Sequence, residues 1–240
     1  MLIAIDIGNS RAKAGVFVED SLEKVFTNLS EFELVSLVNQ YPDYSIFLSS
    51  VVKIPPHFFN LLQRKERLLV VDHETDVPIK NCYHSPKTLG IDRLVASIGA
   101  WSLYAHVNTL VIDIGTCVTY DFISDNGEYL GGGISPGLKL RAKSLNAYTQ
   151  KLPLIEDLEL IPDLIGKTTE TSIQSGIVLG LCHEIEGFIK TFENKFSQLQ
   201  TVLTGGDAVF FESMIKASIF VNPNLVLHGL HSIFKHNGSI

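Results

Sequence analysis

Two short stretches of this 240-residue chain set an acid, a glycine and small polar groups side by side. The first is Asp6-Ile7-Gly8-Asn9-Ser10-Arg11-Ala12-Lys13 and the second is Asp113-Ile114-Gly115-Thr116. A glycine after the acid allows a tight turn whose backbone N–H groups approach an anion. Asn9, Ser10, Arg11 and Lys13 add donors suited to phosphate oxygens. Asp6 is a candidate ligand for hydrated Mg²⁺, which takes one or two carboxylates plus phosphate. Thr116 offers a hydroxyl to phosphate, and Asp113 offers a second cation-binding carboxylate. Asp121 follows on the outgoing run. One such stretch also reads as a plain hairpin with a solvated turn; two copies favour phosphate chemistry, because two facing hairpins would form a nucleotide cleft.

Three further clusters carry candidate chemistry. Gly90-Ile91-Asp92-Arg93 opens an amphipathic segment. Asp92 suits a proton acceptor for an alcohol, and Arg93 suits a carboxylate or a transferring phosphoryl group. The same pair also reads as a helix-start carboxylate with an incidental ion pair. Gly131-Gly132-Gly133-Ile134-Ser135-Pro136-Gly137 reads as close backbone approach to a ligand or strand, or as a flexible loop. Thr204-Gly205-Gly206-Asp207 follows an apolar run, where an adenine or ribose can lie against backbone.

The elements that must position these residues alternate. Strands are expected over 2–7, 13–17, 45–51, 68–71, 109–114, 118–123, 201–203 and 219–221. Asp125-Asn126-Gly127 marks a hairpin leading into 128–131. Helices are expected over 34–40, 56–64, 92–104 and 169–194. In the last, Ile173, Ile177, Leu181, Ile185 and Ile189 recur every four residues, and Gly176 and Gly180 read as helix-on-sheet packing. Alternation of this kind predicts an α/β fold. The order strand, glycine turn, strand occurs from residue 1 and again from about residue 107, which suggests a duplicated domain. The expected domains are 1–106 and 107–240.

Composition narrows the partners. Hydrophobic residues make up 45% and charged residues 19% of the chain, enough apolar material for a core and too little charge for extended disorder. A net charge of −7 argues against broad nucleic-acid binding. No apolar run reaches the roughly 18–20 residues of a membrane span. No secretory leader is legible at the start, and Cys82, Cys117 and Cys182 are scattered, as expected of reduced thiols in a cytoplasm.

The paired Asp-x-Gly hairpins resemble the phosphate loops of the acetate kinase, hexokinase, Hsp70 and actin superfamily. The finer pattern is similar to type III pantothenate kinases. It is carried by Asp6–Ser10, Gly90–Arg93 and Asp113–Thr116, then Gly132–Gly137, Gly166-Lys167-Thr168-Thr169, Gln174-Ser175-Gly176 and Thr204–Asp207. These stand in family order over nearly the whole chain. The resemblance implies two similar ribonuclease H-like (actin-like ATPase) domains with mixed sheets flanked by helices. It implies ATP-dependent phosphorylation of pantothenate, the first step of coenzyme A biosynthesis. Asp6, Ile7, Gly8, Asn9, Ser10, Arg11, Ala12, Lys13 and Thr116 would bind ATP. Tyr83, Gly90, Ile91, Asp92, Arg93 and Thr169 would bind pantothenate, with Asp92 the proton acceptor. Asp113 would hold a monovalent cation, K⁺ or NH₄⁺, with Mg²⁺ accompanying ATP. Family members are homodimers, and Thr169 would reach across that interface. Ser10 stands where Thr is usual, Cys117 where Ala is common, and Ser172-Ile173 replace a usual Ala-Met. The competing readings are a kinase of another small alcohol or carboxylate and a nucleotide-dependent regulatory protein without turnover.

Overall fold

The computed structural model describes residues 1–8, 12–63 and 67–238. Its strands are β1 (Leu2–Ile7), β2 (Ala12–Val18), β3 (Ser21–Leu29), β4 (Ser45–Ser50), β5 (Leu68–Val70) and β6 (Lys80–Asn81), then β7 (Thr109–Ile114), β8 (Cys117–Ile123), β9 (Glu128–Pro136), β10 (Gln200–Thr204) and β11 (Phe220–Val221). Its helices are α1 (Glu31–Gln40), α2 (Pro56–Gln63), α3 (Ile91–Leu103), α4 (Leu138–Ala147), α5 (Thr169–Lys195), α6 (Ala208–Glu212) and α7 (Leu225–Asn237).

The chain groups into two compact units. The first comprises 1–106, 125–130 and 224–240; the second comprises 107–124 and 131–223. The sequence halves 1–106 and 107–240 follow the repeat, whereas compactness follows packing. Two segments of the later half, the turn before β9 and the helix α7, fold with the first unit.

The first unit holds a sheet of order β3-β2-β1-β4-β5. β1 pairs antiparallel with β2 and parallel with β4, and β4 pairs parallel with β5. The second unit repeats this arrangement as β9-β8-β7-β10-β11, again antiparallel at β7–β8 and parallel at β7–β10 and β10–β11. The duplication suggested by the repeated phrase is therefore a duplication of topology. β6 pairs with Glu128 and Tyr129 at the start of β9, residues that group with the first unit.

Strand periodicity sorts the faces. Ile3 and Ile5 of β1 pack with Leu34, Leu37, Val38, Phe58 and Leu62 of α1 and α2. The alternate residues Leu2, Ala4 and Asp6 point to the other side. On that side Phe47 meets Phe234 of α7 edge-on, and Phe17 stacks on His231 of α7 with ring centroids 4.4 Å apart. In β7, Leu110, Ile112 and Ile114 pack with Ile177, Leu181 and Ile185 of α5, which leaves Asp113 on the opposite face.

Several elements depart from expectation. The glycine cluster 131–137 is not a loop: β9 runs through it to Pro136. A Cβ on Gly132 would lie 1.5 Å from the Tyr120 carbonyl oxygen, so the glycine serves close approach of β9 to β8. β3 and α7 were not legible in the pattern. β3 is an edge strand exposed along most of its length, and α7 buries the polar His231. Gly176 and Gly180 do not pack α5 on the sheet, because nothing lies within 4 Å of a Cβ built on either. The packing face is the isoleucine row beside them.

Candidate active site

In the first unit, β1 delivers Asp6 at its C-terminal end. Parallel pairing sets Asp6 beside Ser49 of β4, and the Ser49 hydroxyl donates to Asp6 Oδ1 at 2.9 Å. Antiparallel pairing sets it opposite Lys13. Burial pushes the Asp6 carboxyl up to about 6, against the pull of the Ser49 hydrogen bond; the neighbouring Asp92 charge raises it further, and Lys13 counters. The Asp92 charge, 86 positions away in sequence, is thus felt at Asp6 within the same unit.

Asp92 stands in the first turn of α3. Its Oδ1 accepts the Arg93 backbone N–H at 2.9 Å. A Cβ on Gly90 would lie 2.5 Å from that oxygen, so the glycine leaves room for a carboxylate folded back over the helix start. Burial raises the Asp92 carboxyl above its ordinary range and outweighs the lowering by the Arg93 backbone hydrogen bond and charge. Arg93 is buried, with its guanidinium carbon 5.9 Å from the Tyr83 ring centroid. The Tyr83 backbone N–H donates to Asn81 Oδ1 at 3.0 Å, which holds the ring-bearing segment to β6.

In the second unit, glycine-bearing segments converge on the β7–β8 turn. Gly205 has φ +92°, and a Cβ there would lie 2.4 Å from Asp113 Oδ1 and 2.4 Å from the Ile114 carbonyl oxygen. The Asp207 N–H donates to that same carbonyl at 3.0 Å. Gly137 donates to the Thr116 carbonyl at 3.1 Å, and a Cβ on it would lie 2.1 Å from the Gly115 carbonyl oxygen. Thr116 is exposed at the turn and Asp113 is half-buried beneath it.

A profile of the type III pantothenate kinase family matches residues 2–191. A type III pantothenate kinase from Phocaeicola vulgatus is 40% identical over 243 residues, covering 100% of both chains. The chain belongs to the type III pantothenate kinase family. Solved structures agree on the fold. A Baf family protein from Campylobacter jejuni superposes with a TM-score of 0.64 at 23% identity, covering 98% of each chain. A ROK hexokinase from Thermus thermophilus gives 0.55 at 11% identity, covering 99% of each.

The site residues expected of a type III pantothenate kinase fall into two sets. Asp6, Ile7, Gly8, Ala12, Lys13, Tyr83, Gly90, Ile91, Asp92 and Arg93 belong to the first unit; Asp113, Thr116 and Thr169 belong to the second. Asn9, Ser10 and Arg11 lie outside the described residues. Thr169 starts α5 and lines a cavity of about 930 Å³ with Arg141, Lys167 and Ile173. Sequence reasoning missed Ser49, whose only signal is its register beside β1. It also missed Glu184 and Arg141, which pair across 43 positions.

The donors present suit the cations the family's chemistry calls for. Among the described residues no group of three or more His, Cys, Asp or Glu forms a closed cage. Asp6, the carboxylate expected to accompany Mg²⁺, would leave such an ion to take phosphate and water as its further ligands, the habit of Mg²⁺. No helix among the described residues is long and apolar enough to cross a membrane.

Proposed function

We propose that the chain phosphorylates pantothenate at its primary hydroxyl by direct transfer from ATP, giving 4'-phosphopantothenate in coenzyme A biosynthesis. The observation that carries the residue assignment is a buried Asp6 that feels the charge of Asp92 within one unit, with Asp92 at the start of a helix whose next residue is the buried Arg93. Asp6 to Lys13 cradle the ATP phosphates, and Thr116 contacts ATP with its hydroxyl. Tyr83 and Gly90 to Arg93 bind pantothenate, with Arg93 supplying a fixed positive fork. Thr169 completes the pantothenate site from a second copy of the chain in a homodimer.

Asp92 accepts the proton of the hydroxyl as that oxygen attacks the γ-phosphorus in line. The new O–P bond forms while the bond to the β-phosphate oxygen breaks, and ADP leaves. A carboxyl raised by burial holds a transferred proton more readily than an exposed one. Turn N–H groups and Lys13 stabilise the spreading charge. Asp6 would hold the Mg²⁺ that accompanies ATP, and that ion would supply charge neutralisation at the phosphates. Asp113, close to the Ile114 carbonyl, presents an oxygen set suited to K⁺ or NH₄⁺. The duplicated halves 1–106 and 107–240 each supply one acid–glycine turn, and the enzyme works in the cytoplasm.

A coupled assay of ADP release with pantothenate, with and without K⁺ and NH₄⁺, tests this reading. Pantothenate-dependent ADP release, stimulated by the monovalent ion, is expected. ATP consumption that ignores pantothenate would overturn it.

A further inference from the structure

Glu184 lies midway along α5, and its carboxylate gathers donors from three other places in the second unit. The Tyr120 hydroxyl donates to Oε1 at 2.9 Å, and the Ser135 hydroxyl donates to the same oxygen. Arg141 Nη2 pairs with Oε2. The guanidinium forks, because its Nε donates to the Pro136 carbonyl at 2.7 Å. Ser135 and Pro136 are thus gripped through a side chain and through the backbone. One residue further on, Gly137 donates to the Thr116 carbonyl and presses on Gly115 with no room for a Cβ.

A continuous set of bonds therefore runs from α5, through 135–141, to the turn at 115–116. The pair is only partly wet, with side-chain exposures of 26% for Glu184 and 20% for Arg141, so water screens it less than a surface pair. Burial opposes the Glu184 charge, but the hydrogen bonds from Ser135, Arg141 and Tyr120 overcome it and hold the carboxyl below its ordinary range. The charged form is the one that accepts every donor at once.

We propose that Glu184 is a positioning residue for the phosphate turn: gripping Ser135 and Arg141, it sets where Thr116 sits and so tunes affinity for ATP. The inference rests on the reading that Thr116 contacts ATP. A strut that merely stabilised α5 would act on folding and leave nucleotide affinity alone.

Steady-state kinetics of Glu184→Gln, Thr116→Ala and the double variant test this, with thermal unfolding as the check on folding. Gln keeps the size but removes the charge and replaces one accepting oxygen with an N–H donor, so it cannot accept from Arg141 and both hydroxyls at once. Glu184→Gln should raise the KM for ATP on the order of tenfold, the effect of one lost charge-assisted hydrogen bond. The KM for pantothenate should rise less than the KM for ATP. The double variant should be no worse for ATP than Thr116→Ala alone, as expected of residues acting in series. A folded Glu184→Gln with the parental KM for ATP, or a fully additive double variant, overturns the inference. A Thr116→Ala enzyme with unchanged KM for ATP is a separate result and removes the Thr116 reading beneath it. Should Glu184→Gln fail to fold, Ser135→Ala removes one donor only; it should still raise the KM for ATP, and an unchanged value counts against the proposal.

Discussion

At the scale of single residues, the site turns on two carboxylates that burial holds in different service. Asp92 sits at a helix start, where the macrodipole favours its anion, yet desolvation wins and raises its proton affinity. Asp92→Asn should lower turnover on the order of 10²–10⁴-fold, the range for loss of a general base, while ATP binding by calorimetry stays intact. Near-parental turnover would take Asp92 out of that role. Asp6 binds its proton more tightly in the folded protein, at about 6 against an ordinary 3.8. Its contribution to stability is therefore full below about pH 4 and is lost as pH rises through 6. In nucleotide-free protein with chelator, Asp6→Asn should gain stability relative to the parent between pH 4 and 7, by roughly 2–3 kcal/mol. Denaturant titrations across that range measure it; a pH-independent difference would show that Asp6 is not the buried titrating group. Both acids were legible as residue types beside glycines. That Asp6 feels the Asp92 charge was not, because it depends on α3 packing beside β4.

At the scale of elements, α3 carries Asp92 and Arg93, and α7 holds α3 in place. The two helices touch backbone to backbone: a Cβ on Gly99 would lie 2.1 Å from the Leu225 carbonyl oxygen, and one on Gly229 would lie 1.9 Å from the Val95 carbonyl oxygen. Neither position has room for a methyl group unless the helices part. Gly99→Ala should destabilise the protein by about 1–3 kcal/mol through overpacking, read as a lowered urea midpoint. A variant as stable as the parent would mean that the α3–α7 contact yields easily. The stripe of α3 was readable from Leu94, Val95 and Ile98. α7 is not legible in the linear pattern, because His228 and His231 interrupt its apolar run. In the fold, burial keeps both imidazoles below their ordinary proton affinity, and His231 stacks on Phe17 while bonding the Glu19 carbonyl. A buried, satisfied histidine looks like a surface residue in a linear pattern.

At the scale of the whole molecule, α7 belongs with the first strands, so the first unit is complete only once α7 has been made. Ending the chain after Pro223 removes α7 and uncovers Phe17, Phe47 and their neighbours on that sheet face. The shortened protein should lose cooperative thermal unfolding and aggregate; a shortened chain with a single sharp transition would show that the first unit folds without α7. By itself the sequence determined the α/β class, the repeated acid–glycine turn, most strand positions and the family, because those rest on local periodicity and on motifs a few residues long. The tertiary structure alone decided that the Asp92 charge is felt at Asp6, that Gly205 is held against Asp113, that Glu184 grips Ser135 and Arg141, and that α7 groups with the first unit. Each of these joins residues tens to hundreds of positions apart. Sheet register and helix packing bring such residues together, and the alternation of apolar and polar residues along a chain records which face is buried but not what it is buried against.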